Sequence, residues 1–417
     1  MYFYIHRTLF CKTIDLRLVG MNYVFVSPNF PKIYSHFVKS LSERGVTVLG
    51  IGDEPFEQLN QELKDNLVEY CYVSDMSNLR WMKNTISYLT WKYGHLDFIE
   101  SNNEWWLFSD SFLREHAGVE TGFLPNEMDK IKFKSHMKSY FEKAGVRVSR
   151  YIMADTFEKS KEFVEKVGYP LFAKPDCGVG ANATYKINTE KELKSFHEKS
   201  LSEPYIIEEF INGYITSFDG ICDNDGNVVV ALQEIFPKPI AEIKTEDTDL
   251  YYFANVDMPD NFRKMGERVV KTFGISKRCF HIEFFCLLED KPGLANKGEI
   301  IALECNMRSP GGNTPDLLQV AMNASYYDVY ADIITKNKTE IDLNKEHFVA
   351  ISVSRKNRFR YVKSLKQIQD KYGDNLFEHG YYPEGIKEAM GDEFFFGKFE
   401  SVEEALSFQK FITEKVN

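Results

Sequence analysis

Seven cysteines form neither a CxxC pair nor a disulfide framework spacing. Cys11, Cys71, Cys177, Cys222, Cys279, Cys286 and Cys305 therefore read as reduced thiols in a cytoplasmic setting. No apolar run approaches the roughly 18 residues that a membrane span needs. No lysine or arginine block stands out and the formal net charge is −11, which argues against nucleic acid or an anionic membrane as partner. HExxH, GxSxG and GxxxxGK[ST] are all missing, and no GxGxxG follows the first strand. Zinc-protease, serine-hydrolase, P-loop and Rossmann dinucleotide sites thus lack support. The opening stretch, residues 1–20, has no continuous apolar segment and no small-residue cleavage site. It reads as a disordered extension rather than a signal peptide.

What is present is globular in composition: 417 residues, 43% hydrophobic and 27% charged, enough for two or three domains. From Met21, strands (22–26, 46–51, 69–73, 96–100) alternate with helical stretches (31–44, 57–68, 77–93). That order predicts a doubly wound parallel sheet. Glu104 follows the fourth strand and reads as an acid at a helix start, with a shared cleft as the alternative. Residues 126–144 predict one amphipathic helix rich in lysine, including Lys134. Residues 156–167 predict a helix capped by Asp155. Residues 169–174 and 183–187 read as hairpin strands around DCGVGAN, and 190–199 as a helix. Residues 205–210, 216–223 and 228–236 read as one antiparallel set with a DNDG turn. Residues 316–334 predict a long amphipathic helix. The remainder mixes strands (348–353, 394–398) with helices (365–371, 402–415).

The chemistry concentrates in CFHIEFFCLLEDKPGLANKGEIIALECNMRSPGG, residues 279–312. Two apolar strands flank a connection of turn formers, a hairpin pattern. Each strand carries one carboxylate, Glu283 and Glu304, and the midpoint between them is Gly293, inside the turn. Folding back brings the two acids together across the strands. Like charges so placed call for a cation. Asn306 adds a neutral oxygen on the same face, and this hard-oxygen set suits Mg2+. Arg308 continues the period of two as a fixed cation for a phosphoryl or carboxylate group. Elsewhere, Lys174 ends an apolar strand just before a small-residue loop, where backbone N–H groups and an ammonium can meet phosphate oxygens. In YIIEEFI, the extended backbone around Glu208, Glu209, Phe210 and Ile211 can pair with an adenine edge while an apolar side chain covers its face. His281 is a lone histidine on an apolar strand and reads as a hydrogen-bonded core residue.

Taken in order, these features resemble the ATP-grasp superfamily over residues 21–334, and the ending RSPGG is similar to ligases that join carboxylates to amines. The resemblance implies an α/β and α+β multidomain fold. Residues 1–20 precede an α/β domain (21–125), two subdomains that clasp ATP (126–204 and 205–340) and a closing module (341–417). It assigns ATP phosphates to Lys134 and Lys174, adenine to residues 208–211, Mg2+ or Mn2+ to Glu283, Glu304 and Asn306, and the acyl phosphate to Arg308. Lys174 and Arg308 take the catalytic roles, and Gly311 and Gly312 join Arg308 in binding substrate. Phe133 stands where an Asp is usual, and Ile215 where an acid meets ribose. The implied activity is ATP- and Mg2+-dependent amide formation between a small carboxylate and an amine. Biotin-carboxylase-like or carbamoyl-phosphate chemistry through carboxyphosphate, and a non-catalytic ATP-binding protein, stand as alternatives. Partners are small molecules, with neither nucleic acid nor membrane. Oligomeric state stays open, dimers being frequent in that superfamily.

Overall fold

The computed structural model describes residues 20–178, 183–201, 203–237, 248–382, 384 and 387–416. The expected extension, but for Gly20, and residues 179–182 of the small-residue loop lie outside them. Among the described residues no helix is long and apolar enough to cross a membrane.

Strands β1 (Asn22–Val26), β2 (Thr47–Gly52), β3 (Glu69–Tyr72) and β4 (Phe98–Glu100) form a parallel sheet in the order β3-β2-β1-β4. Alternate side chains serve two cores, as a sheet covered on both faces requires. Val24, Val26, Leu49 and Ile51 meet Met82, Ile86 and Leu89 of the helix Leu79–Tyr93 on one face. Tyr23, Phe25 and Val48 meet Tyr34, Phe37 and Leu41 of the helix Tyr34–Glu43 on the other. This second face is also an interface. Phe37 packs edge-on against Tyr327 and Tyr330, with centroids at 4.7 and 5.0 Å. Arg44 bridges Asp328 and Asp332 at 2.8 and 2.6 Å. The parallel sheet and its helices are thereby fastened to the last third of the chain.

The single lysine-rich helix expected over 126–144 is broken. Asp129–Lys132 is one turn, Phe133 is extended (φ −99°, ψ 118°), and Lys134–Lys143 is a second helix. Phe133 leaves the helical path because its backbone bridges to Cys177. The helix expected from residue 156 spans Phe157–Val167, and its cap is Thr156 rather than Asp155. Strands β5 (Tyr151–Met153), β6 (Leu171–Pro175), β7 (Tyr185–Ile187) and β8 (Tyr205–Glu209) form an antiparallel sheet, order β5-β8-β6-β7. The stretch 205–210 thus belongs with the Lys174 strand, not with the two strands that follow it. Phe163, Leu193 and Phe196 cover one face of this sheet.

Strands β9 (Gly213–Cys222), β10 (Val228–Phe236), β11 (Tyr251–Asn255), β12 (Arg278–Leu287), β13 (Ile300–Asn306), β14 (Val349–Arg355), β15 (Leu376–Tyr381) and β16 (Glu393–Phe399) build one sheet, ordered β13-β12-β9-β10-β11-β14-β16-β15. The strands after residue 340 extend the sheet that carries the acidic hairpin. The helix Asp260–Phe273 covers one face through Phe262, Val269, Val270 and Phe273. A side chain at Gly266 would meet the Phe218 ring at 2.3 Å, so glycine alone permits this close approach. The expected long helix 316–334 is two helices, Thr314–Ala321 and Tyr326–Lys336, on the opposite face. Asn323 takes a left-handed φ of 51°, and the Ser325 hydroxyl accepts from the Asp328 amide at 3.1 Å, so the chain stops and restarts.

Candidate active site

β12 and β13 pair antiparallel with Glu283 directly opposite Glu304 and His281 opposite Asn306. A bulge sits between them, with Leu303 as the extra residue of β13. Without it, period-two alternation would put Ala302 on the face of Glu304. Instead Ala302 and Phe284 join the core under the helix Asp260–Phe273, while both acids turn to the other side. The two carboxylates keep 22% and 19% exposure. Burial pushes Glu304 above the ordinary carboxylate range, Glu104 and Glu283 add to this, and Lys134 opposes it. Burial acts the same way on Glu283, but His281 outweighs it and holds Glu283 low. Two facing acids and the neighbouring amide of buried Asn306 fit a divalent cation.

The lysines arrive from the small sheet and the broken helix. Lys134 is the first residue of its helix, and its Nζ lies 3.4 Å from Glu304 Oε1. Asp176, two residues beyond Lys174, ties this helix start down. Its carbonyl accepts from the Lys134 amide at 2.9 Å, and its carboxylate accepts from the Ser135 amide and hydroxyl, both at 2.8 Å. Lys134 and Lys174 are thus connected through one aspartate. Lys174 meets Glu208 at 2.9 Å, and Lys138 meets the other Glu208 oxygen at 2.7 Å. Burial pulls the Lys138 ammonium down, and Lys174 adds to it. Lys134 is also pulled down by burial, but Glu304 and Glu104 outweigh this and raise it.

The YIIEEFI segment differs from a strand end with acids in water. Glu208 and Glu209 are both buried. Glu209 receives Arg150 at 2.9 and 2.5 Å in a two-pronged pair. Phe210 donates its amide to the Pro170 carbonyl at 3.2 Å, and Lys186 sits 4.1 Å above its ring. Ile211 packs with Leu287, Ala295 and Ile301 of the acidic hairpin.

Arg308 leaves β13 and donates to Glu104 at 2.8 Å and to the Ser309 carbonyl at 2.9 Å. Glu104 also meets Lys132 at 3.5 Å. Burial raises Glu104, yet Arg308 and Lys132 prevail and hold it low. Glu104 begins the one-turn helix Glu104–Trp106, as expected, and the shared cleft is its setting as well. The next residue in that turn, Trp105, stays 68% exposed. Gly311 and Gly312 follow Arg308 with open space where a side chain would stand. His281 is not isolated either. Its Nδ1 lies 2.5 Å from Asp219 and its Nε2 3.7 Å from Glu283. Sequence reasoning missed Lys132, Lys138 and Asp176, and it missed Asp219. Only the spacing of Asp176 from Lys174 offered a signal.

A family profile for an ATP-grasp domain matches residues 167–315. The solved L-amino acid ligase from Bacillus licheniformis superposes with a TM-score of 0.70 at 15% identity, over 94% of this chain and 96% of that one. The chain carries an ATP-grasp domain. An L-arginine-specific L-amino acid ligase of Bacillus subtilis is 22% identical over 290 residues, covering 65% of each chain. A carbamoyl phosphate synthase large chain, C-terminal section, from Methanopyrus kandleri is 27% identical over 123 residues, which is 28% of this chain and 23% of that one. The chain thus spans under a quarter of the length of the first curated relatives it matches. The ATP-grasp match takes in Lys174, Glu208, Glu283, Glu304, Asn306 and Arg308. Glu104, Lys132 and Lys134 come from the chain before it.

Proposed function

We propose that this ATP-grasp protein is an ATP-dependent ligase that activates a small carboxylate as its acyl phosphate and joins it to an amine. The carrying observation is Glu283 facing Glu304, with Lys134 against Glu304 and the Arg308–Glu104 pair alongside. A carboxylate oxygen bonds to the γ-phosphorus of ATP and the bond to the β,γ-bridging oxygen breaks, releasing ADP. The amine nitrogen then bonds to the carbonyl carbon, loses a proton, and phosphate leaves. Both steps need developing negative charge neutralised by groups already in place. Lys134 and Lys174 meet the phosphate oxygens, and Glu208 fixes Lys174. The backbone of residues 208–211 borders the adenine. Arg308 orients the carboxylate, with Gly311 and Gly312 leaving room for it. Glu283, Glu304 and Asn306 would hold Mg2+ or Mn2+, which when bound supplies positive charge to the phosphoryl oxygens.

The test is ADP release with a panel of amino acids and Mg2+. Turnover should depend on an amino acid, and Glu304→Ala should lower it by about 100-fold or more. Unchanged turnover in that variant, or none with any acceptor, would sink the reading. The carbamoyl phosphate synthases among the relatives favour a second reading through carboxyphosphate. ADP release driven by bicarbonate alone would select it.

A further inference from the structure

On the side of the large sheet that carries the acid pair, two rows of side chains cross four strands. One runs Glu304, Glu283, Ser217, Glu234, and the other Asn306, His281, Asp219, Leu232. The β13–β12 end of these rows is the acid pair with Asn306. The β9–β10 end gathers with His281 into a second cluster. Donor atoms of Asp219, Glu234 and His281 all lie within 4.8 Å of one another. That is the spread of ligands around a single ion at bond lengths of roughly 2.0–2.6 Å. Asp219 and Glu234 have no exposed surface and His281 has 8%.

The hydrogen bonding in this cluster does not close. Among the described residues, neither acid ion-pairs with a lysine or arginine, and His281 is the single cationic neighbour of Asp219. The Ser217 hydroxyl donates to Asp219 and lies 3.4 Å from Glu234 Oε2, and its one proton cannot serve both acids. Glu234 Oε1 is buried with no hydrogen-bond partner. Two buried acids beside one imidazole, with one carboxyl oxygen unpartnered, form a donor set that a cation would complete.

We propose that Asp219, Glu234 and His281 form a second cation site, independent of nucleotide, that takes a divalent transition-metal ion of the Zn2+ or Mn2+ kind. One imidazole nitrogen among two carboxylates favours these ions over Mg2+ or Ca2+, which prefer all-oxygen shells. The Ser217 hydroxyl holds Asp219 through a hydrogen bond, as outer partners of metal ligands do. The shared row places this ion next to Glu283 without using it.

The experiment uses the whole chain without ATP, loaded with Zn2+ or Mn2+ alone, desalted, and analysed for metal by mass spectrometry. About one ion per chain is expected, retained by Glu304→Gln and weakened about tenfold or more in Glu234→Gln and His281→Gln. Metal-free Glu234→Gln should melt no lower than metal-free wild type, because it removes a buried ionisable group, and Zn2+ should raise the melting temperature of wild type and Glu304→Gln more than that of Glu234→Gln. Should Glu234→Gln fail to fold, Asp219→Asn and His281→Gln carry the same comparison. A wild type that retains no metal overturns the proposal. So does affinity in Glu234→Gln within about threefold of wild type, or loss of the ion in Glu304→Gln, which would put it on the acid pair. No turnover is read, so this site and the ligase reading fail separately.

Discussion

Glu208 and Glu304 each face lysine from a β-strand, and burial pushes both carboxyls upward, but they end on opposite sides of the ordinary value. Glu208 has Lys138 and Lys174 at 2.7 and 2.9 Å, and these hold it down at about 2. Glu304 has Lys134 at 3.4 Å and two acids, Glu283 and Glu104, beside it, so it stays above its ordinary value. The difference separates a closed ion cluster from an open one. Around Glu208 two ammonium groups surround one carboxylate, and the carboxylate serves to hold both still. Around Glu304 the neighbouring acids Glu283 and Glu104 work against the charged form, and a further positive charge would favour it, which is the property a metal–nucleotide site requires.

The comparison breaks if removing the two acids has the same effect. Glu208→Gln leaves two buried ammonium groups without their counter-ion and should cost about 3–5 kcal/mol in urea unfolding. Without metal, Glu304→Gln relieves repulsion and should leave the urea midpoint unchanged or higher. A sharper form uses pH. The folded value of Glu208, about 2, lies below its ordinary 4.5, so its stabilisation is complete above the ordinary value. It is lost as pH falls toward the folded one. Over that window wild type should lose about 3 kcal/mol that Glu208→Gln does not lose, read from urea midpoints against pH. Glu304, being raised, works with the opposite sign, and its removal should reduce the gain seen on acidification. The smallest effect falls on the tie between the lysines. Asp176→Ala removes the acceptor at the start of the Lys134 helix and should cost about 1 kcal/mol of stability. A similar loss in ATP binding, about fivefold in Kd by calorimetry, would show that the tie positions the lysines.

The acid hairpin was legible because its logic is local. A run of turn formers centred on Gly293 brings Glu283 opposite Glu304, and the pairing is as expected. The bulge at Leu303 was not legible, since alternation alone would have split the acids from their neighbours. Non-local contacts decided the other differences. Phe133 breaks its helix to reach Cys177, far along the chain, and the YIIEEFI strand joins the small sheet through its pairing with β6. The helix break at Asn323 rests on a left-handed residue and a serine cap, a signal that apolar periodicity hides. Glu104 gave no sign of Arg308, because their pairing joins residues 204 positions apart in the chain. His281 read as solitary for the same reason. Asp219 and Glu234 become its neighbours only once β9, β10 and β12 are laid side by side.

Trp105 gives the cleft its own optical reporter. Its indole is the next side chain after Glu104 and stands largely in water, whereas Trp106 packs inward, and Trp81 and Trp91 belong to a separate helix. Indole emission shifts with hydration, so filling the space beside Arg308 should register in the intrinsic fluorescence of the unlabelled protein. Subtracting the Trp105→Phe signal would isolate that response.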